Sequence, residues 1–391
     1  MRIVNIDLRL LEYPLETPFY PSWLPGYPQT AHRVLLLTLE TDEGIKGYAA
    51  GVAFLREGAG LKDLLLPFLF GRDPMNVEEV VQIARSATFL GLRLWWIEMA
   101  FWDIIGKALG QPVYRLLGGY QERVKAYAST GELREPSARL EYVAHIREMG
   151  FRAVKIRFHS WDWREDLAVV RAIREQYPDM EIMVDANMGW RVAGMAPAPK
   201  WDLATALRVA EELGELGVRW LEEPLDKHDY EGYRRLREKS PVPLASGEMN
   251  QDLHEFREYL VRDALDVLQP DVALSGGILL GKKIAALAEA FGKQIAPHTW
   301  TSGLGLAANL QLMGACPNCE WAEFPYEPPG WDLRARDYFL TEPIVPDSEG
   351  YLPVPSKPGL GVDIDDEAVA RYTVALSGRT AVRPYAVRSI A

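Results

Sequence analysis

Two rhythms of apolar and polar residues divide the chain. Near the amino terminus apolar positions alternate as they do in strands. Val34–Glu40 forms one run, Asp42-Glu43-Gly44 a turn, and Ile45–Ala50 the returning strand of a hairpin. The stretch from Pro14 to His32 before it carries Pro14, Pro18, Pro21, Pro25 and Pro28 together with Phe19, Tyr20, Trp23 and Tyr27. It reads as a stiff loop, used either as a binding lid or as a surface excursion packed by its own rings. From about Asn76 to Leu109 the rhythm becomes helical, with Leu92, Trp95, Trp96, Met99, Ala100 and Asp103 at i, i+3, i+4 spacing. Gly110 and Pro112 stop that helix, and a domain boundary is expected near residue 122.

Beyond it, short strand-like runs recur at Val124–Ala128, Ala153–Phe158, Ile182–Asp185, Arg219–Glu222, Pro243–Ser246, Asp266–Gln269, Gln294–Ala296 and Trp321–Phe324. Helical stretches separate them, and their spacing of roughly 25–30 residues is that of one βα unit. Eight such units predict an α/β protein with a parallel barrel over residues 123–325, following a domain at 1–122. The interval from Asp185 to Glu222 is 37 residues, against 26 from Glu222 to Glu248. The excess predicts an enlarged loop at Trp190–Trp201, before a helix capped by Asp202. Residues 326–391 should leave the barrel and pack back on the first domain, with a helix at Asp365–Tyr372.

Composition narrows the function. The chain has 391 residues, 48% of them hydrophobic and 25% charged, and a formal charge of −12, which disfavours nucleic acid and anionic membrane as partners. The amino terminus has no signal-peptide pattern, and the longest apolar run, Leu64–Phe70, is broken by Pro67 and far too short to span a bilayer. Cys316 and Cys319 are the only cysteines, so no disulfide framework is expected. Without a second pair to complete a zinc site they read as two plain thiols, and the cytoplasm is the expected compartment.

The chemistry gathers at the strand ends, where barrels of this kind hold their active sites. Asp185, Glu222 and Glu248 follow three successive strand runs. Neighbouring strands lie about 4.8 Å apart, so these carboxylates can converge on one hard cation, Mg²⁺ or in its place Mn²⁺. Glu223 should point away from Glu222 by alternation. Lys155 and Arg157 project from one side of their strand, and Arg157 is expected to lower the proton affinity of Lys155. Asp271 and His298 end adjacent strands, where the carboxylate can fix the imidazole tautomer and raise its basicity. Glu323, on the last strand, alternates with apolar neighbours and can point inward.

At these residues the sequence resembles the enolase superfamily, specifically its mandelate racemase subgroup. Thr41-Asp42-Glu43-Gly44, Trp102–Gly110 and Pro358-Gly359-Leu360-Gly361-Val362 are similar to further stretches of that family, and the likeness covers nearly the whole chain. It implies an α+β capping domain, built from both termini, over a modified (β/α)7β TIM barrel. Asp185, Glu222 and Glu248 match the family's Mg²⁺ ligands, Lys155 and Arg157 its Lys-x-Lys pair, Asp271 and His298 its His–Asp dyad. Glu323 matches the acid that hydrogen-bonds the enolate oxygen. The implied reaction removes the proton α to a carboxylate to give an Mg²⁺-stabilised enediolate.

Arg157 stands where the family has a second basic lysine, and a guanidinium is a poor base. Dehydration needs only one base and an acid, and the resemblance implies its most numerous form in the family, conversion of an acid sugar to a 2-keto-3-deoxy acid, as the expected reaction. The alternatives are a racemase or epimerase, and a barrel that binds an acid without turning it over. Asn187, Trp23, His32 and Arg56 are the expected substrate contacts. The expected partners are a small carboxylate substrate and further copies of this chain in a homo-oligomer.

Overall fold

The computed structural model describes residues 1–53, 61, 64, 68–190 and 196–374. The amino-terminal part is a four-stranded antiparallel sheet. It contains β1 (Ile3–Phe19), β2 (Gln29–Thr41) and β3 (Lys46–Ala53), with β13 (Thr373–Val374) from the carboxyl end paired to β1. On it lies α2 (Glu98–Leu109), against which α1 (Val77–Ala87) and the short α3 (Val113–Leu116) pack. The sheet and α2 approach closely because two glycines of β3 leave room. A Cβ on Gly47 would stand 2.1 Å from the Ala100 carbonyl oxygen, and one on Gly51 would stand 2.5 Å from the Trp96 ring.

Eight parallel strands form the second part: β4 (Arg123–Ser129), β5 (Ala153–Arg157), β6 (Glu181–Asp185), β7 (Leu221–Glu222), β8 (Leu244–Ser246), β9 (Val267–Leu268), β10 (Gln294–Ile295) and β11 (Trp321–Pro325). The helices between them are α4 (Pro136–Glu148), α5 (Trp163–Gln176), α6 (Leu203–Glu215), α7 (Tyr230–Arg237), α8 (Asp252–Val261), α9 (Gly277–Ala290) and α10 (Gly303–Met313). Hydrogen-bonded neighbours run from β10 through β4 to β11, and a parallel bridge from Ile295 to Cys319 closes the ring. The result is a (β/α)7β barrel. Its interior is plugged by one buried cluster with a residue from, or next to, every strand: Tyr127, Ala153, Met183, Trp220, Ala245, Val267, Ala296 and Trp321. Polar residues that lie beyond this cluster toward the carboxyl ends of the strands therefore face a closed floor.

The final segment holds α11 (Leu333–Asp337), β12 (Tyr351–Pro353) and α12 (Asp366–Tyr372). It touches both parts: β12 pairs antiparallel with β4, the Leu360 amide donates to Asp103 of α2 at 2.9 Å, and Val374 pairs with Leu10. No helix among the described residues is long and apolar enough to cross a membrane.

Two expectations need correction. Strand structure extends through most of the proline-rich stretch, so the loop shrinks to residues 20–28. The pairing register shifts between Pro14 and Phe19, where prolines cost no ladder hydrogen bond. The helical stretch from Asn76 to Leu109 is also broken. Gly91 turns left-handed at φ 75°, so α1 ends and a short 3-10 turn at Trp95–Ile97 leads into α2.

Candidate active site

Strand register brings the charged residues together. Arg157 pairs with Asp185 across β5 and β6, and Asp185 with Glu222 across β6 and β7. Glu248 lies two residues past β8, while Asp271 and His298 each lie three past β9 and β10. Asp185, Glu222 and Glu248 are all buried, and each offers an oxygen within 4.8 Å of the others'. Three hard oxygen donors so close fit a divalent cation such as Mg²⁺. One oxygen of Glu248, Oε2, is buried without a hydrogen-bond partner, as a donor atom reserved for an ion would be.

The cations sit on one side of this group. Lys155 Nζ lies 2.6 Å from Glu222 Oε1 and 2.7 Å from Glu323 Oε1. Burial works against its charge, yet Glu222 and Glu323 outweigh both burial and Arg157 and hold the amine above its ordinary range. The expected lowering by Arg157 exists but is overridden, so the surrounding carboxylates favour the charged amine. The Arg157 guanidinium bonds Asp185, donates from Nε to the Thr130 carbonyl at 2.6 Å, and reaches Ser129 Oγ at 3.3 Å and Asn187 Oδ1 at 3.4 Å. Burial likewise pushes Glu222 up to about 7, against the pull of Lys155.

Glu323 meets donors on both of its oxygens. Its Oε1 accepts from Ser129 Oγ at 2.7 Å as well as facing Lys155, and its Oε2 accepts from the Thr299 amide at 2.8 Å. Burial alone would raise it, but Lys155, His298 and Arg157 together lower its pKa to about 2. These cations and donors favour its carboxylate form.

The His–Asp pair is formed. His298 Nδ1 lies 2.8 Å from Asp271 Oδ2, and a carboxylate can only accept, so Nδ1 carries the hydrogen. Asp271 Oδ1 is held by the Ala273 amide at 2.7 Å and by Asn309 Nδ2 at 3.3 Å. The other ring nitrogen, Nε2, faces Glu248 Oε2 at 3.4 Å. Burial disfavours the imidazolium, but Glu248, Glu323 and Asp271 raise its pKa to about 10; a cation held by Glu248 would offset the largest of these charges and bring the ring back toward its neutral, basic form.

Glu223 is outside the three-carboxylate group. At φ 45° it turns left-handed, and both its oxygens are buried without a partner, with the carboxylate against Gly189.

A cavity of about 270 Å³ opens beside these groups, with Arg157, Asn187, Glu248 and His298 in its lining. Its apolar lining includes Trp23, Trp96, Trp300, Met249 and Leu274. His32 does not line it: both ring nitrogens face backbone carbonyls, Ala335 at 2.7 Å and Thr301 at 2.9 Å. Arg56 lies outside the described residues. Ser129, Gln269 and Trp300 also belong to the site, without a role assigned from sequence: Ser129 Oγ donates to Glu323 Oε1 at 2.7 Å, Gln269 Nε2 donates to Glu222 Oε2 at 2.7 Å, and the Trp300 ring meets Arg157. Trp300 carried a signal in sequence, two residues after His298 at a strand end. Trp96 did not, because its helical spacing reads as core.

This fold and this cluster of acids and bases are those of a known enzyme family. The enolase C-terminal domain-like model matches residues 139–368, and the mandelate racemase/muconate lactonizing enzyme N-terminal domain model matches residues 19–118. The chain belongs to the enolase superfamily, in its mandelate racemase group. It is 32% identical to a D-galactarolactone cycloisomerase of Agrobacterium fabrum, covering 95% of this chain and 99% of that one. It is 30% identical to an arabinonate dehydratase of Saccharolobus solfataricus, covering 89% and 93%. A racemase of Streptomyces coelicolor, solved with bound magnesium, superimposes with a TM-score of 0.80 at 26% identity, covering 95% and 100%. With such relatives across its whole length, the chain is an enzyme.

Proposed function

We propose that the enzyme abstracts the proton α to the carboxylate of an acid sugar and expels the β-hydroxyl, giving a 2-keto-3-deoxy acid. The observation that carries this reading is the asymmetry of the site: one base, His298, and among the described residues no second one opposite it. Arg157 keeps its proton, because its charge is fixed by Asp185, Glu323 and Glu222 against the cost of burial, and its N–H groups are engaged by Thr130, Asn187 and Ser129. Two-base racemisation therefore lacks a partner on that face.

Asp185, Glu222 and Glu248 would hold the Mg²⁺. The bound ion would draw electrons from the substrate carboxylate and offset the negative charge that develops there. His298 takes the α-proton on Nε2 while Asp271 holds its Nδ1 hydrogen and stabilises the imidazolium. Lys155 places a fixed cation where the enediolate oxygen gains charge, and Glu323, with Ser129 and Thr299, fixes the lysine. The enediolate then collapses and the C–O bond at the β-carbon breaks. The imidazolium returns its proton to the departing oxygen, which leaves as water. The enol so formed ketonises to the 2-keto-3-deoxy acid.

A second reading, cycloisomerisation of an acid-sugar lactone, has the Agrobacterium relative in its favour. The test is a panel of mono- and diacid sugars, supplied as open acids and as lactones, with Mg²⁺ in D₂O. Mg²⁺-dependent 2-keto product from an open acid supports dehydration, and product from the lactone alone supports the second reading. Deuterium incorporation with loss of configuration and no keto product would refute both.

A further inference from the structure

Arg157 stands in a corner made by two indoles. Its guanidinium carbon lies 5.0 Å from the Trp23 ring centre and 5.5 Å from that of Trp300, and the two rings meet edge to face at 5.0 Å. Such distances are those of cation–π contacts. Trp300 belongs to the barrel and is fixed from behind, its Nε1 donating to Ser129 Oγ at 2.9 Å. Trp23 belongs to the loop at residues 20–28, which comes from the antiparallel sheet. That loop is tied to the barrel by the Ser22 amide to the Gly131 carbonyl at 2.8 Å and the Tyr20 amide to Glu132 Oε1 at 2.9 Å. Leu24 of the same loop clusters with Ala198, which lies before α6.

The edges of the guanidinium are thus hydrogen-bonded within the barrel, to Thr130, Asp185, Asn187 and Ser129, while its faces meet indoles. A guanidinium is weakly hydrated and stacks well on rings, so covering it with an indole limits its swing out of the plane that meets Asp185. We propose that Trp23 is a positioning residue for Arg157. Docking of the 20–28 loop holds the guanidinium on Asp185 and so presets that carboxylate before any substrate arrives. The consequence for metal binding rests on the reading of Asp185 as a ligand. The competing role, a substrate contact alone, makes no change in the substrate-free enzyme.

Two measurements on the full chain decide between them. The first is a double-mutant cycle of Trp23→Leu and Arg157→Gln, read by urea unfolding without metal. The expected result is that Trp23→Leu lowers the folding constant about 2- to 30-fold more in the wild-type background than in the Arg157→Gln background. The second is calorimetric titration of single variants with Mg²⁺ and no substrate. Trp23→Leu should weaken binding about 10-fold, while Trp23→Phe, which keeps a ring face, stays within about threefold of wild type. Equal effects of Trp23→Leu in both backgrounds, or Mg²⁺ affinity untouched by it, would overturn the proposal. If Arg157→Gln fails to fold, the Leu and Phe titrations still decide it. Wild type that takes up no Mg²⁺ would instead sink the ligand reading, and the metal-free cycle would still judge the pairing.

Discussion

Glu98 joins the two parts of the molecule, and its charge state sets a measurable pH dependence. It opens α2, is 2% exposed, and its Oε1 accepts from Trp102 Nε1 and from the Leu279 amide near the start of α9, both at 2.7 Å. Gly277 presses on the other oxygen, where a Cβ would stand 2.0 Å away. Burial favours the neutral acid, and the donors and the helix amino terminus favour the anion. Burial wins, lifting the pKa from 4.5 to about 8. Between those values the folded protein keeps a proton that the unfolded chain releases, so stability from this group is present at low pH and lost as pH rises through 8. The full difference is on the order of 5 kcal/mol. Glu98→Gln keeps the shape and an acceptor but removes the titration. Urea unfolding of both proteins at several values between pH 5 and 9 should show wild type losing several kcal/mol relative to the variant as pH rises. A difference that stays flat would mean that Glu98 is ionised throughout and that the donors outweigh burial.

Other outcomes follow from the same contacts. His298→Asn should cut turnover by about 10³-fold or more, with Mg²⁺ affinity and melting temperature close to wild type; substantial residual activity would move the base elsewhere. Gly47→Ala should lower thermal stability by about 1–3 kcal/mol, because the new methyl meets backbone rather than a movable side chain. Lys155→Met leaves Glu222 and Glu323 without their shared counter-charge, so about 3–5 kcal/mol of stability should be lost in urea unfolding without metal.

Much of this arrangement was legible in the chain. Periodicity located all eight barrel strands, and strand-end position identified the residues of the charged cluster, because both depend on local pattern. What escaped depends on contacts distant in sequence. Pro14 and Pro18 read as loop, yet strand pairing with β2 and a register shift carry them in β1. Gly91 did not announce a helix break inside an otherwise periodic run. The fate of Lys155 followed from which charges surround it in space: Arg157 was visible two residues away, whereas Glu222 and Glu323 arrive from distant strands. His32 looked available in sequence and is spent on two backbone carbonyls.

The proposed chemistry requires that Asp185, Glu222 and Glu248 share one Mg²⁺ beside His298. Calorimetric titration of the substrate-free enzyme with Mg²⁺ tests it most directly, comparing wild type, Glu222→Gln and Glu223→Gln. Wild type should bind one ion per chain, Glu222→Gln should abolish binding or weaken it at least about 100-fold, and Glu223→Gln should change it far less. Equal losses in the two variants, or no binding by wild type, would contradict it.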